Sequence, residues 1–209
     1  MPSPAKPVVG FMVLFAAMLF SATAALAAPA GAIVGLSGAC SVESGGNRSA
    51  AKLGQQLQVG DTVEVPTDGK LKLRMADGSV VSVAANTRMT LAALSVDSAG
   101  QRRDAKLSLT QGLLRAVTAP VQRPASFEVD TAVGTAAVRS TDWFVEASAD
   151  GMRVGVLTGS VDMTSAATRR SVTIPARYGA RMPRGGDPAT PREWPQADFD
   201  AVIARTNLP

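Results

Sequence analysis

Residues 70–76 read Lys-Leu-Lys-Leu-Arg-Met-Ala, and this alternation constrains the fold more than any other feature of the chain. Successive side chains of a strand point to opposite faces. Leu71, Leu73 and Met75 therefore fall on one side, and Lys70, Lys72 and Arg74 on the other. The stretch reads as a half-buried strand with a charged outer face. Asp68-Gly69 and Asp77-Gly78 bracket it. Asp-Gly tolerates positive φ at both positions, as a two-residue hairpin turn requires. The preceding GDTVEV places Val63 and Val65 on one face, and the following SVVSVAANT supplies Val81 and Val83. Residues 59–87 are expected to form consecutive short strands joined by tight turns.

The same grammar returns downstream. AKLSLTQGLLRAV reads as strand, Gln111-Gly112 turn, strand; MRVGVLTGSVDMT as strand, Thr158-Gly159, strand; SVTIPARYGARM as strand, loop at Tyr178-Gly179, strand. SVDSAGQRRDAK reads as a polar hairpin loop or short excursion. No helical period is visible from residue 30 to 183. Aromatic residues make up 4% of the chain, so its core must come from small and β-branched side chains, which suit strands. An all-β unit of short strands is expected; period and turns alone leave sandwich, barrel and solenoid open. Residues 131–146, TAVGTAAVRSTDWFVE, interrupt the pattern with four polar residues, Arg139, Ser140, Thr141 and Asp142. A bulge or corner is expected there, with Arg139 capping carbonyls or pairing with Glu128 or Asp142. Trp143 is expected in the core, since Phe144 beside it must face the other way.

The ends of the chain differ from its middle. Lys6 precedes VVGFMVLFAAMLFSATAALA, the order of a secretory signal peptide, with Ala25-Leu26-Ala27 as a cleavage site and Ala28 as the expected first mature residue. A retained membrane anchor is the alternative. The expected organisation is a signal peptide over 1–27, an all-β domain over 28–183, a Pro/Gly-rich linker over 184–195, and a short helix or tail over 196–209. Phe199, Val202 and Ile203 stand at helical spacing, and Trp194 and Phe199 are expected to pin the helix to the sheet.

The chain has no histidine and one cysteine, so no Ser-His-Asp triad, Cys-His pair or internal disulfide can form within it. Neither a metal site nor a cofactor is expected, and no residue is assigned a catalytic role. Paired carboxylates among Asp77, Asp142 and Glu146 would be the remaining route to acid–base chemistry, and no pairing is visible. Cys40, in LSGAC, is expected to be a small buried hydrophobe. A formal charge of +4 is too mild for a dedicated nucleic-acid binder.

The order LxxGD, DGxxxLxxxDGS, LxxGxxR, FxVxTxxxxxxVRxT, VxVxxGxV and a closing xxxYGxxM strand runs through residues 31–183. In this succession the chain resembles the FecR domain family. The resemblance implies an all-β extracytoplasmic module, solenoid-like or sandwich-like, with a role in sensing or protein interaction. The family motif Val-Arg-Gly-Thr followed by a polar residue and an aromatic matches Val138, Arg139, Thr141, Asp142 and Trp143, with Ser140 where glycine is usual. Full FecR-type regulators also carry a sigma-factor-binding domain and a docking subdomain, and neither is expected here. Three functions are weighed. The first is a non-catalytic interaction or sensing module in the periplasm or outside the cell, using the basic face of Lys70, Lys72 and Arg74, with Arg102-Arg103 and Arg169-Arg170 adding to it, to meet an envelope protein partner. The same face is otherwise a solvated surface that discourages aggregation. The second is a structural protein binding polysaccharide or peptidoglycan, for which Trp143, Trp194 and Tyr178 are the available aromatics. The third, implied by the resemblance alone, is a regulator that cleaves itself between Ser140 and Thr141.

Overall fold

The computed structural model describes residues 28–120, 125–138 and 141–208, which form seventeen strands and one helix. The strands lie in two layers. Sheet A has the spatial order β4 (Gln56–Leu57), β1 (Gly31–Ser37), β6 (Lys70–Met75), β7 (Val80–Val83), the second half of β9 (Arg102–Val117), β12 (Asp142–Ser148), β13 (Gly151–Thr158), β16 (Tyr178–Pro183) and β17 (Arg192–Glu193). Sheet B has the order β3 (Asn47–Ala50), β2 (Ser41–Ser44), β5 (Thr62–Val65), β8 (Thr87–Val96), the first half of β9, β10 (Ser126–Asp130), β11 (Gly134–Val138), β14 (Ser160–Ser165) and β15 (Ser171–Pro175). Neighbours are antiparallel except β9 and β10.

The inward side chains of both sheets form one core. Leu71, Leu73, Trp143 and Val145 from sheet A meet Val63, Leu107, Phe127 and Val161 from sheet B. Phe127 and Trp143 cross the interlayer space edge to face, with centroids 6.4 Å apart. The architecture is thus a sandwich by layers and solenoid-like by winding, because the chain passes repeatedly from one sheet to the other.

That winding revises several expected turns. Asp77-Gly78 does join a hairpin, β6 to β7, but positive φ is confined to Gly78 (84°), and the Gly78 N–H donates to the Met75 carbonyl at 3.0 Å. This is a turn closed by a left-handed glycine. Asp68-Gly69 instead carries the chain from β5 in sheet B to β6 in sheet A. Gly69 has no positive φ; a Cβ there would press on Pro66, Val65 and Cys40. Gln111-Gly112 is no hairpin either: β9 runs through it, bends at Gly112 (φ 97°) and changes sheet. Thr158-Gly159 likewise separates strands of different layers. Tyr178-Gly179 lies inside β16, and the turn before it uses Arg177 at φ 69°. Only at SVDSAGQRRDAK does the expected hairpin appear unchanged, as the β8–β9 tip where Asp97 Oδ1 accepts from the Ala99 and Gln101 amides.

Helix α1 (Gln196–Thr206) lies on the outer face of sheet A. Phe199 and Val202 pack with Phe144, Trp194, Leu113 and Ala84 in a second, smaller core. Trp143 therefore points inward and Phe144 outward, as their adjacency requires. Gly155 and Gly179 leave room for this layer, since a Cβ on Gly179 would run into the Trp194 ring and one on Gly155 into Phe144. Residues 184–195 are held to the sheet: Arg192 and Glu193 pair with Gly179 and Tyr178, and Trp194 is buried. Among the described residues no helix is long and apolar enough to cross a membrane.

Candidate interaction surfaces

The Asp-Gly-Ser turn builds a closed seam between the layers. Arg102 of sheet B donates to Asp77 Oδ2 at 2.5 Å and to Ser79 Oγ at 3.1 Å. Ser79 Oγ donates in turn to Asp77 Oδ2 at 2.7 Å and accepts the Ala119 amide at 2.9 Å. The Arg102 guanidinium stands 5.4 Å from the Phe127 ring centroid. Both charged side chains are 0% exposed. A fully enclosed ion pair, tied in by the Ser79 hydroxyl while Arg102 Nε is left without a hydrogen bond, is a structural clasp. Arg102, expected on the basic surface, belongs to this clasp because Asp77 sits opposite it across the core.

Thr141, Asp142 and Trp143 are pinned, while Arg139 and Ser140 lie outside the described residues. The Thr141 amide donates to Thr118 Oγ1 at 2.8 Å, Thr118 Oγ1 donates back to the Thr141 carbonyl at 3.2 Å, and Thr141 Oγ1 donates to the Ser160 carbonyl at 3.2 Å. Asp142 receives both arms of Arg115, at 2.9 and 2.7 Å. Glu128 receives Lys106 at 3.2 Å. The two acids expected to pair with Arg139 thus have other cations. Residues 139–141 lie between β11 in sheet B and β12 in sheet A, and Asp142 opens β12.

The outer face of sheet A is basic. Lys70, Lys72, Arg74, Arg115, Arg153 and Arg181 point outward from it, against Asp142 and Glu146. These cations have different tasks. Lys70 is a helix cap: its Nζ donates to the Ala204 and Asn207 carbonyls at 2.9 and 2.8 Å. Lys72 and Arg74 make no ion pair among the described residues, and exposed Val117 stands in register with Val80 and Arg74 across β9, β7 and β6. Glu146 is bonded by Arg153 and, at 2.7 Å, by Arg205 of the helix. Burial pushes the Glu146 carboxyl up, but the two guanidinium groups outweigh it and hold it below the ordinary glutamate range.

Sheet B presents a different surface. Hydroxyl pairs cross it, Thr62 with Thr90 at 2.7 Å and Thr164 with Ser171 at 2.7 Å. Most of its cations are paired, Arg48 and Arg88 with Glu64, Arg88 also with Glu43, and Lys106 with Glu128 and Asp130, while exposed Arg103 makes no ion pair among the described residues. An open groove of about 770 Å³ runs past Asp104, Ser126, Thr141, Asp162 and Thr173. Trp143 and Trp194 are buried, so the stacking surface expected for sugar is not on offer from them. Cys40 is buried as expected, with Sγ donating to the Ser37 carbonyl at 3.3 Å; burial raises its thiol pKa.

Residues 61–162 match the model of the FecR protein family. The chain carries a FecR domain. Two solved structures of a protein assigned as an anti-sigma factor, from Parabacteroides distasonis ATCC 8503, share its fold, each with a TM-score of 0.57 and 16% identity over 68% of this chain. The likeness spans 64% and 63% of those chains, less than two thirds of their length. A comparison with curated proteins gives no match. The matched FecR span begins at Asp61, just before β5, and ends within β14. It therefore holds the Asp77–Arg102 clasp, the Arg115–Asp142 pair and the Lys70, Lys72 and Arg74 face. The four edge strands, β3, β4, β15 and β17, and the helix lie outside that span. Neither the period-two pattern nor the motif order signalled Arg153, Arg181 and Arg192, which gather beside the helix. The helix beside which they gather is remote in sequence from Arg153.

Proposed function

We propose that this FecR-domain protein is a non-catalytic interaction or sensing module exported to the cell envelope, where it meets an acidic protein partner through the outer face of sheet A. The observation that carries this reading is the imbalance on five strands of that face, β6, β9, β12, β13 and β16, where six cations stand against two carboxylates. Lys72, Arg74 and the exposed Val117 supply an uncommitted, partly apolar landing surface beside the helix. Charges of one sign on a sheet face steer an oppositely charged partner and set its orientation. The FecR domain and the anti-sigma-factor-like fold support a place in signalling. The order of residues 1–27 supports export, with the mature chain starting at Ala28.

The test is formaldehyde cross-linking in cells that produce the tagged protein, followed by purification of the envelope fraction. A discrete polypeptide adduct, weakened in the Lys72→Glu/Arg74→Glu variant, is the expected outcome. Sedimentation of the purified protein with isolated cell wall, and no polypeptide adduct, would favour the polysaccharide reading instead.

A further inference from the structure

A cavity of about 390 Å³ opens where the helix begins, lined by Arg153, Arg181, Arg192, Trp194, Pro195 and the acids Glu193 and Asp198. Three guanidinium groups converge on it from three strands. Arg153 and Arg181 are direct cross-strand partners in the β13–β16 pairing, an arrangement of like charges that destabilises a sheet unless something offsets it. On its other side Arg153 is committed to Glu146, and the same carboxylate also serves Arg205. One carboxylate is therefore shared by two arginines, and none reaches Arg181. Among the described residues neither Arg181 nor Arg192 has an ion pair. Glu193 pairs with Arg177 at 3.6 Å, which leaves Asp198 as the cavity's one uncommitted acid.

The walls favour a negative guest. The Arg153 guanidinium is fixed, 5.9 Å from the centroids of both Phe144 and Trp194, so its order is set by the small core beneath it. Helix α1 starts at this cavity with Pro195 at its N-cap and no side-chain cap, and a helix N-terminus carries partial positive charge. Planar guanidinium forks match the oxygens of phosphate or carboxylate two at a time.

We propose that this cavity is a binding site for a small multivalent oxyanion, held by Arg181 and Arg192 with Arg153 as the fixed third donor. The bound anion supplies the charge that the Arg153–Arg181 pair lacks. The inference goes beyond the interaction reading above and does not depend on it: the cavity lies at the N-terminal end of the helix, whereas Lys70, on the strand of Lys72 and Arg74, holds its C-terminal end.

Titration calorimetry and thermal melting of the mature protein in about 0.15 M salt test it, with inorganic pyrophosphate and citrate as separate probes and chloride as the control. A dissociation constant near 100 μM would raise the melting temperature by about 3–5 °C at 1 mM anion. A response to pyrophosphate alone identifies a phosphate source, and a response to citrate alone a carboxylate source. Arg181→Ala and Arg192→Ala should each weaken binding about tenfold. Asp198→Asn should strengthen it about threefold. Arg169→Ala, an exposed cation far from the cavity, should change nothing. Because Arg181 faces a like charge, Arg181→Ala without anion should melt at the wild-type temperature or higher. A lower melting point for that variant would make Arg181 a structural partner and overturn the proposal. So would equal binding by wild type, Arg181→Ala and Arg192→Ala, or no binding by the wild type below about 1 mM. None of these outcomes bears on the protein-partner adduct, so the two readings stand or fall separately.

Discussion

The two outer faces of the sandwich are written in the same alternating grammar and end up with opposite characters. On sheet B the outward residues are mostly threonine, serine and short acids. They bond across strands to one another, and the cations there, Arg103 excepted, have carboxylates. On sheet A the outward residues are long and basic, a helix covers a buried aromatic patch, and several cations have no carboxylate. Period two decides which side chains leave the core; it says nothing of what the exposed side is for. The difference lies in side-chain length and charge balance. Short hydroxyls satisfy themselves locally, whereas unpaired arginines and lysines on a sheet face remain available to something else.

The largest expected effect comes from the seam that both faces share. Asp77→Ala leaves Arg102 enclosed without a counter-charge, and the loss of stability is expected to be about 3–5 kcal/mol by denaturant unfolding. Asp142→Ala breaks an Asp–Arg pair that is 19% exposed on each side, so solvent screens it and the expected loss is about 1 kcal/mol. Equal losses would show that burial does not separate the two pairs. Phe199→Ala comes next, at about 2–4 kcal/mol, because it empties the second core. Its loss should be confined to sheet A: hydrogen exchange is expected to rise in 194–206 and leave β10, β11 and β14 unchanged. Rising exchange in those sheet B strands would erase the distinction between the faces.

Gly78→Val tests the same seam more gently. The glycine sits at φ 84°, a conformation a β-branched residue resists, and a Cβ would meet nothing closer than Ala119 at 3.9 Å. The cost is therefore backbone strain alone, about 1–3 kcal/mol. An unchanged melting temperature would mean that the turn tolerates a different geometry. The smallest effect is pH-dependent and belongs to sheet A. The Glu146 pKa is lowered in the folded state, so its contribution is present above the unfolded value, 4.5, and is lost as pH falls through the folded value. Helix docking should weaken below pH 4.5, and Glu146→Gln should flatten that acid limb while lowering stability at neutral pH. An identical acid limb in both proteins would remove Glu146 from the account.

How far the fold was legible follows from the same residues. The β6–β7 hairpin was plain in KLKLRMADGS, and the inward Trp143 and outward Phe144 followed from adjacency. Layer membership was not legible. Asp68-Gly69, Thr158-Gly159 and the turn before Tyr178 look like hairpin turns but join strands of different sheets, because a tight turn fixes direction without fixing which strand becomes the neighbour. Gln111-Gly112 misled for a related reason: a left-handed glycine bends a continuous strand as readily as it ends one. Arg102 looked like surface charge because its partner, Asp77, lies 25 residues away. Lys70 looked free because the carbonyls it caps belong to a helix 134 and 137 residues downstream. Local pattern carries local structure; long-range pairing of charges has no signature within a single sequence window.

The central claim is that sheet A, and not sheet B, is the face this FecR-domain protein turns toward its partner. A photo-cross-linking amino acid placed at Arg74 on sheet A, or at Thr173 on sheet B, compares the two directly in cells that make the protein. Both positions are exposed, so neither substitution disturbs the core. The account predicts a discrete polypeptide adduct from position 74 and none from position 173. Adducts from position 173 with none from position 74 would contradict it.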